Sequence, residues 1–211
     1  MWARIHTIWT VSILACLAPL ALLVWDILAD NLDGNTVQAF HIRSGDWTLR
    51  FLWLTLAITP LQTLTQWRGM AEYRQMLGLF ALLYATLHLV GYLFFDHAGQ
   101  WKTIVIDIAQ SPYLWFGLLA YLIILLLGLT SPKSAKKKMG KSWKKLHRLI
   151  YLAAAMSMLH YFWQLKTNLA EPLFYLAIII VLFAFRVVMW FRAQKASLNI
   201  NTLQLKKQTS E

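Results

Sequence analysis

The chain has 211 residues, 59% hydrophobic and 14% charged, with a formal net charge of +11 and a mean hydropathy of +0.52. A water-soluble domain carries about 25% charged residues, and here the apolar residues fall in long blocks, so a soluble domain is excluded and lipid is the expected solvent. The positive charge sits in short segments between those blocks rather than along one helix face, which excludes a nucleic-acid surface and fits an orientation signal.

Six blocks provide the roughly 20 residues needed to cross about 30 Å of hydrocarbon. The first runs from Ile8 to Leu28, with Pro19 as an expected kink and Cys16, the single cysteine, as a small apolar filler. The second runs from Trp47 to Thr65 and contains Pro60; the third runs from Arg74 to Phe95. The fourth, Pro112 to Thr130, opens on a proline suited to a first helical turn. The fifth, Trp143 to Gln164, is the most polar, and the sixth runs from Pro172 to Phe191. The lysine-rich stretch from Ser131 to Lys145 reads as a loop, either a topology determinant touching anionic lipid or a docking surface for a soluble donor or flavin. No internal repeat is evident. Residues 1–192 form one six-span domain, and residues 193–211 are a polar tail expected to fray.

Orientation follows from the basic residues. With the N-terminus in the cytoplasm, only Arg43, Arg50, Lys102 and Lys166 of the 20 lysines and arginines fall outside, leaving 16 within. Seven of the nine acids also fall outside, all but Glu72 and Glu211. The expected fold is an all-α bundle of six transmembrane helices in a bacterial inner membrane, both ends cytoplasmic.

A histidine inside a span is costly and usually faces the bundle interior with a task. His6, His41 and His97 lie at or beyond the expected membrane edges, where water can satisfy them. His88 and His160 lie within blocks. His88 is 14 residues beyond Arg74, about 21 Å along a helix, and His160 is some 16 residues into the fifth block, about 24 Å. Each of these helices starts at the cytoplasmic face, so the two imidazoles reach nearly one level in the outer half. That is what a six-coordinate b-type haem requires, and His88 and His160 are the predicted axial pair.

His147 precedes His160 by 13 residues, about 20 Å along the helix but about 140° around it. It is a candidate ligand for a second, inner haem. The position opposite holds Arg74, with Gln75 beside it; arginine stays protonated and does not ligate iron, but it can pair with a haem propionate or a flavin phosphate. Gly78 and Gly91 either admit a flat macrocycle or serve ordinary helix packing. The chain shows no paired-carboxylate site, zinc motif or nucleotide-binding domain, so it cannot take hydride from a nicotinamide unaided. A haem-free transporter or scaffold using the histidines as proton relays is the alternative of a different class.

Three stretches carry a family resemblance: Ser44-Gly45-Asp46-Trp47-Thr48-Leu49-Arg50 with Thr59-Pro60; Arg74-Gln75-Met76-Leu77-Gly78 leading to His88; and Gly140-Lys141-Ser142-Trp143 through His147 to His160-Tyr161-Phe162-Trp163. Over residues 40–192 the chain resembles the MsrQ (YedZ) family of the ferric-reductase-like superfamily. The resemblance implies a b-type haem subunit, holding one haem or two, with ligands at His88, His147 and His160, and an association with FMN that no residue here places. It also implies electrons drawn from quinone or a cytosolic flavin reductase and passed to a periplasmic molybdopterin enzyme that reduces methionine sulfoxide in proteins. On that reading the chain is an electron-transfer subunit rather than a catalytic subunit alone. Within the same class, a stand-alone ferric reductase or quinol-oxidising cytochrome b is the alternative.

Overall fold

The computed structural model describes residues 2–32, 35–67, 69–164 and 169–208, with the side chains of residues 7–195 within those ranges. All regular structure among the described residues is helical: α1 (Trp2–Leu28), α2 (Thr36–Thr65), α3 (Met70–Gly91) running on through a π-helical turn (Tyr92–Asp96), α4 (Trp101–Gln110), α5 (Pro112–Leu129), α6 (Lys133–Met139), α7 (Lys141–His147), α8 (Ile150–Gln164) and α9 (Ala170–Gln208). Among the described residues, four stretches are long and apolar enough to cross a membrane: Thr7–Leu28, Met70–Asp96, Pro112–Leu129 and Ala170–Lys195. Exposed Leu14, Leu22, Leu122, Val181 and Phe191 extend an apolar surface far beyond what water tolerates on a monomer.

The second and fifth expected spans depart from that pattern for separate reasons. α2 begins 11 residues before Trp47, at Thr36, where Asn35 caps it by accepting from the amides of Val37 and Gln38. It sits centrally, packed by α1, α3, α8 and α9. Its buried Ser44, Asp46, Thr48 and Thr55 therefore face protein, and they lower its mean hydropathy. The fifth block is divided: α7 ends at His147, a turn follows at Arg148 and Leu149, and α8 has only 15 residues. The expected Ser131–Lys145 loop is largely helical, with α6 and α7 joined at Gly140, whose φ of +54° suits a residue without a Cβ. The tail expected to fray continues α9 as helix to Gln208. Asp33, Arg68, Lys166 and Glu211 lie outside the described residues.

Two helix pairs, α2 with α3 and α5 with α8, make the largest interfaces, and α3 against α5 joins them. The core between them holds Leu52, Leu56, Ala81, Tyr84, Ile124, Ala153 and Ala154. The small side chains of Ala153 and Ala154 are fully buried and allow α8 a close approach. Both intrahelical prolines are compensated by other helices. Pro60 has no N–H to offer the carbonyl of Leu56, and Arg186 of α9 donates to that oxygen at 2.8 Å. Near Pro19, the Tyr84 hydroxyl donates to the carbonyl of Cys16 and accepts from the amide of Leu20, each at 3.0 Å. One phenol thus enters the hydrogen-bond ladder of α1 and ties that helix to α3.

Candidate functional site

His88 projects from α3 toward α2. Its Nδ1 lies 3.2 Å from the His41 carbonyl and 3.3 Å from the Ser44 hydroxyl. The Ser44 hydroxyl donates to the Phe40 carbonyl at 2.6 Å, so toward the ring its oxygen is an acceptor. Both neighbours therefore take the Nδ1–H. The ring lies over Gly45, where a Cβ would come within 3.3 Å of it.

His160 projects from α8 toward α5 and is held in the same way. Its Nδ1 lies 2.9 Å from the Tyr113 carbonyl, and the ring lies over Gly117, where a Cβ would sit 2.8 Å from Nδ1. The Tyr113 ring packs on it with centroids 5.7 Å apart.

The two imidazoles meet edge-on, with centroids 6.2 Å apart and planes at 83°. Two metal–imidazole bonds of about 2 Å, plus the ring radii, give about 6 Å for a pair on opposite sides of one ion. Fixing each proton on Nδ1 leaves each Nε2 lone pair for a metal, the arrangement found where second-shell acceptors orient ligand histidines. No group of three or more His, Cys, Asp and Glu able to hold a bare metal ion occurs among the described residues. A site offering only two nitrogens fits an iron whose other four ligands arrive with a macrocycle.

The remaining histidines lie elsewhere, with one exception. His41, assigned to the membrane edge by sequence, packs edge-on against His88 with centroids 5.4 Å apart. Its Nε2 is 3.0 Å from the Asp96 carboxylate, yet the ring N–H is not aimed to make a hydrogen bond. A signal was available, since residues 41, 44, 45 and 48 share one helical face. His147 stacks on Trp143 at 3.9 Å, and its Nε2 lies 3.1 Å from the Thr130 hydroxyl, which donates to the Leu126 carbonyl. Arg74 is exposed and donates to Gln62 at 3.3 Å. Gly91 meets Phe40 and His41, and Gly78 meets Thr55, so both serve α2–α3 packing. Between the π-helical turn and α5, His97 Nε2, Tyr92 and Ser111 all bond Asp107. Burial pushes that carboxyl up, but the three bonds outweigh it and hold Asp107 below the usual carboxylate range. The His6 side chain lies outside the described residues.

A bundle that brings two backbone-supported imidazoles together between its helix pairs fits a membrane cytochrome-like subunit. The profile of the ferric reductase like transmembrane component matches residues 44–158, the stretch that carries His88 and reaches to within two residues of His160. Among curated proteins, the chain is 41% identical over 177 residues to one from Polaromonas naphthalenivorans, covering 82% of this chain and 81% of that one. It is 39% identical over 189 residues to one from Herminiimonas arsenicoxydans, covering 88% and 86%. To one from Xanthomonas oryzae pv. oryzae it is 39% identical over 178 residues, covering 82% of each. All three bear the name protein-methionine-sulfoxide reductase heme-binding subunit MsrQ. The chain belongs to the MsrQ family, within the ferric-reductase-like membrane proteins. No solved structure matches it significantly.

Proposed function

We propose that this chain is the haem-binding, electron-transfer subunit of a protein-methionine-sulfoxide reductase system. It passes electrons from the quinone pool or a cytosolic flavin reductase across the inner membrane to a periplasmic molybdopterin partner that repairs oxidised methionines. The observation that carries the reading is the His88–His160 pair, 6.2 Å between ring centres with each Nδ1 bonded to a backbone carbonyl.

In this reading His88 and His160 hold one b-type haem, which when bound supplies one-electron chemistry at the iron. The chain's own contribution is orientation and exclusion. The His41 and Tyr113 carbonyls fix both tautomers, Gly45 and Gly117 give the rings room, and Leu52, Tyr84 and Ala153 keep water from the helices that carry the pair. To ligate a second iron through Nε2, His147 must leave Thr130. We therefore assign one haem to the outer pair, and the haem count per chain decides the inner site. Arg74, exposed near the start of α3, is kept as a contact for a haem propionate or a flavin phosphate.

Six spans with both ends cytoplasmic remain the proposed topology. α2 is long enough and faces protein, and α7 with α8 together cover the fifth block. The test is pyridine haemochrome quantification on the purified chain and its histidine variants. About one haem per chain that disappears in His88→Ala and in His160→Ala is expected; a chain without a Soret band overturns the reading. A stand-alone ferric reductase is favoured only by the family description, and it predicts ferric-chelate reduction without a periplasmic partner.

A further inference from the structure

The segment that folds into α6 and α7 concentrates charge of one sign. Seven lysines and Arg148 fall between residues 133 and 148, and all of them are exposed. No acidic residue stands between Asp107 and Glu171 in the sequence, and among the described residues none of these cations is ion-paired. In each helix the first lysine is followed three and four positions later by two more: Lys133, Lys136 and Lys137 in α6, Lys141, Lys144 and Lys145 in α7. Like charges at those spacings lie side by side and destabilise a helix, and no carboxylate of the described chain relieves them.

The apolar residues of the segment turn inward. Leu146 packs against the core. Trp143 donates to the Thr130 carbonyl at 2.9 Å, stacks on His147 and is covered by the Lys136 ammonium at 4.9 Å. No large apolar side chain is exposed between Leu129 and Leu152. A protein interface needs an aromatic or apolar anchor and is depleted of lysine; this surface is lysine without an anchor. It also lies beside lipid. Lys133 follows Leu129, the exposed last residue of a stretch able to cross a membrane, by four positions, at most about 14 Å of chain. Ammonium groups on long stems at that distance reach phosphate headgroups.

We propose that α6 and α7 form a binding surface for acidic phospholipid headgroups, with the lysines meeting the lipid phosphates. Lys136 links that surface to Trp143 and His147, so headgroups bound there also steady the end of α7 from which α8 departs. The inference goes beyond the electron-transfer reading and does not depend on haem. The proposed topology supplies only the leaflet, the cytoplasmic one.

The test uses the full chain reconstituted in phosphatidylcholine vesicles that carry a trace of spin-labelled phosphatidylglycerol or of spin-labelled phosphatidylcholine. Electron spin resonance gives the motionally restricted, protein-bound fraction of each. At low salt phosphatidylglycerol is expected to associate about fivefold more strongly. The preference should vanish at about 1 M salt, where the screening length falls to about 3 Å. Lys137→Gln, Lys138→Gln and Lys141→Gln together, which leave Lys136 on Trp143, should cut the preference to about twofold or less. The same three positions changed to arginine keep the charge and should keep the preference, which guards the test against a folding defect. Equal association of the two lipids in the wild type overturns the proposal. So does a preference that survives in the glutamine variant, since the lipid then binds elsewhere, or one lost in the arginine variant, since charge is then not what binds. A companion arm adds flavodoxin, an acidic soluble electron carrier, to the phosphatidylcholine vesicles. Salt-sensitive capture that the glutamine variant loses, without any phosphatidylglycerol preference, gives the patch to a protein and also overturns the proposal.

Discussion

The α2–α3 pair and the α5–α8 pair solve one problem with one device. In each, a carbonyl and a glycine four residues apart on the first helix receive a histidine from the second: His41, Gly45 and His88 in one, Tyr113, Gly117 and His160 in the other. The histidine follows the carbonyl residue by 47 positions in both, and a shift of 72 carries one set onto the other. The halves differ in detail. His88 has two acceptors at Nδ1 and a looser seat; His160 has one acceptor, an aromatic neighbour and a tighter seat. The comparison teaches that the clasp is a backbone-level repeat, with side chains free to differ where only a carbonyl and an open space are needed.

The largest expected effect treats the halves as equal. On the proposed reading, His88→Ala and His160→Ala should each remove essentially all of the haem held by this pair, since one imidazole holds such an iron weakly and the loss of both ligand and buried support exceeds the 10–100-fold typical of second-shell changes. Pyridine haemochrome per chain reads it. Retention of half the haem in either variant would break the equivalence of the two halves.

The glycines sharpen the comparison. A Cβ at Gly117 would sit 2.8 Å from Nδ1 and 2.9 Å from Cε1 of His160, so the ring must swing off its carbonyl; at Gly45 the nearest approach is 3.3 Å. Gly117→Ala should lower haem affinity by about tenfold or more, and Gly45→Ala by the smaller cost of about 1 kcal/mol of overpacking. Haem titration into the apo-proteins measures both. A larger loss in Gly45→Ala would reverse the ranking of the two seats.

Much of this was legible in the sequence, and the omissions have one cause. Block length and hydropathy located the four described stretches apolar enough to cross a membrane, and counting residues along the third and fifth blocks paired His88 with His160, whose rings lie 6.2 Å apart. Counting gives height but not azimuth. It placed His41 at the edge without showing that its carbonyl and ring turn toward His88, and it gave no sign that Gly45 and Gly117, rather than Gly78 and Gly91, lie under the His88 and His160 rings. A backbone carbonyl leaves no mark in side-chain identity, so the 72-residue repeat was invisible: of its three positions only glycine and histidine are shared, and Tyr113 stands where His41 does. α2 falls outside the four apolar stretches because Ser44, Asp46, Thr48 and Thr55, buried against protein, lower its hydropathy.

Ser44 tests the asymmetry at Nδ1. Its hydroxyl, 1% exposed, gives His88 an acceptor that His160 lacks. Acceptors at Nδ1 raise the basicity of the ligand nitrogen and favour ferric iron. Ser44→Ala should therefore raise the midpoint potential of the haem; a hydrogen bond of about 1 kcal/mol corresponds to about 40 mV for one electron. Haem content should not change. A potential that stays fixed while haem is lost would make Ser44 a packing residue only.

The smallest effect lies at the inner level, where the repeat stops being a pair of histidines. The 72-residue shift that carries His88 onto His160 carries Gln75 onto His147, and neither faces its counterpart as the outer rings do. Gln75 donates to the Ser131 carbonyl at 3.3 Å, while His147 meets Thr130 and stacks on Trp143. These contacts tie α3 and α7 to the C-terminal end of α5, about 20 Å of helix from the His88–His160 pair. His147→Ala should therefore leave the outer haem in place, with haemochrome per chain and the Soret maximum at wild-type values. Loss of all haem in this variant, equal to that in His160→Ala, would mean that the α7–α8 segment positions His160 as a unit, and the two halves would then differ in how their ligands are carried.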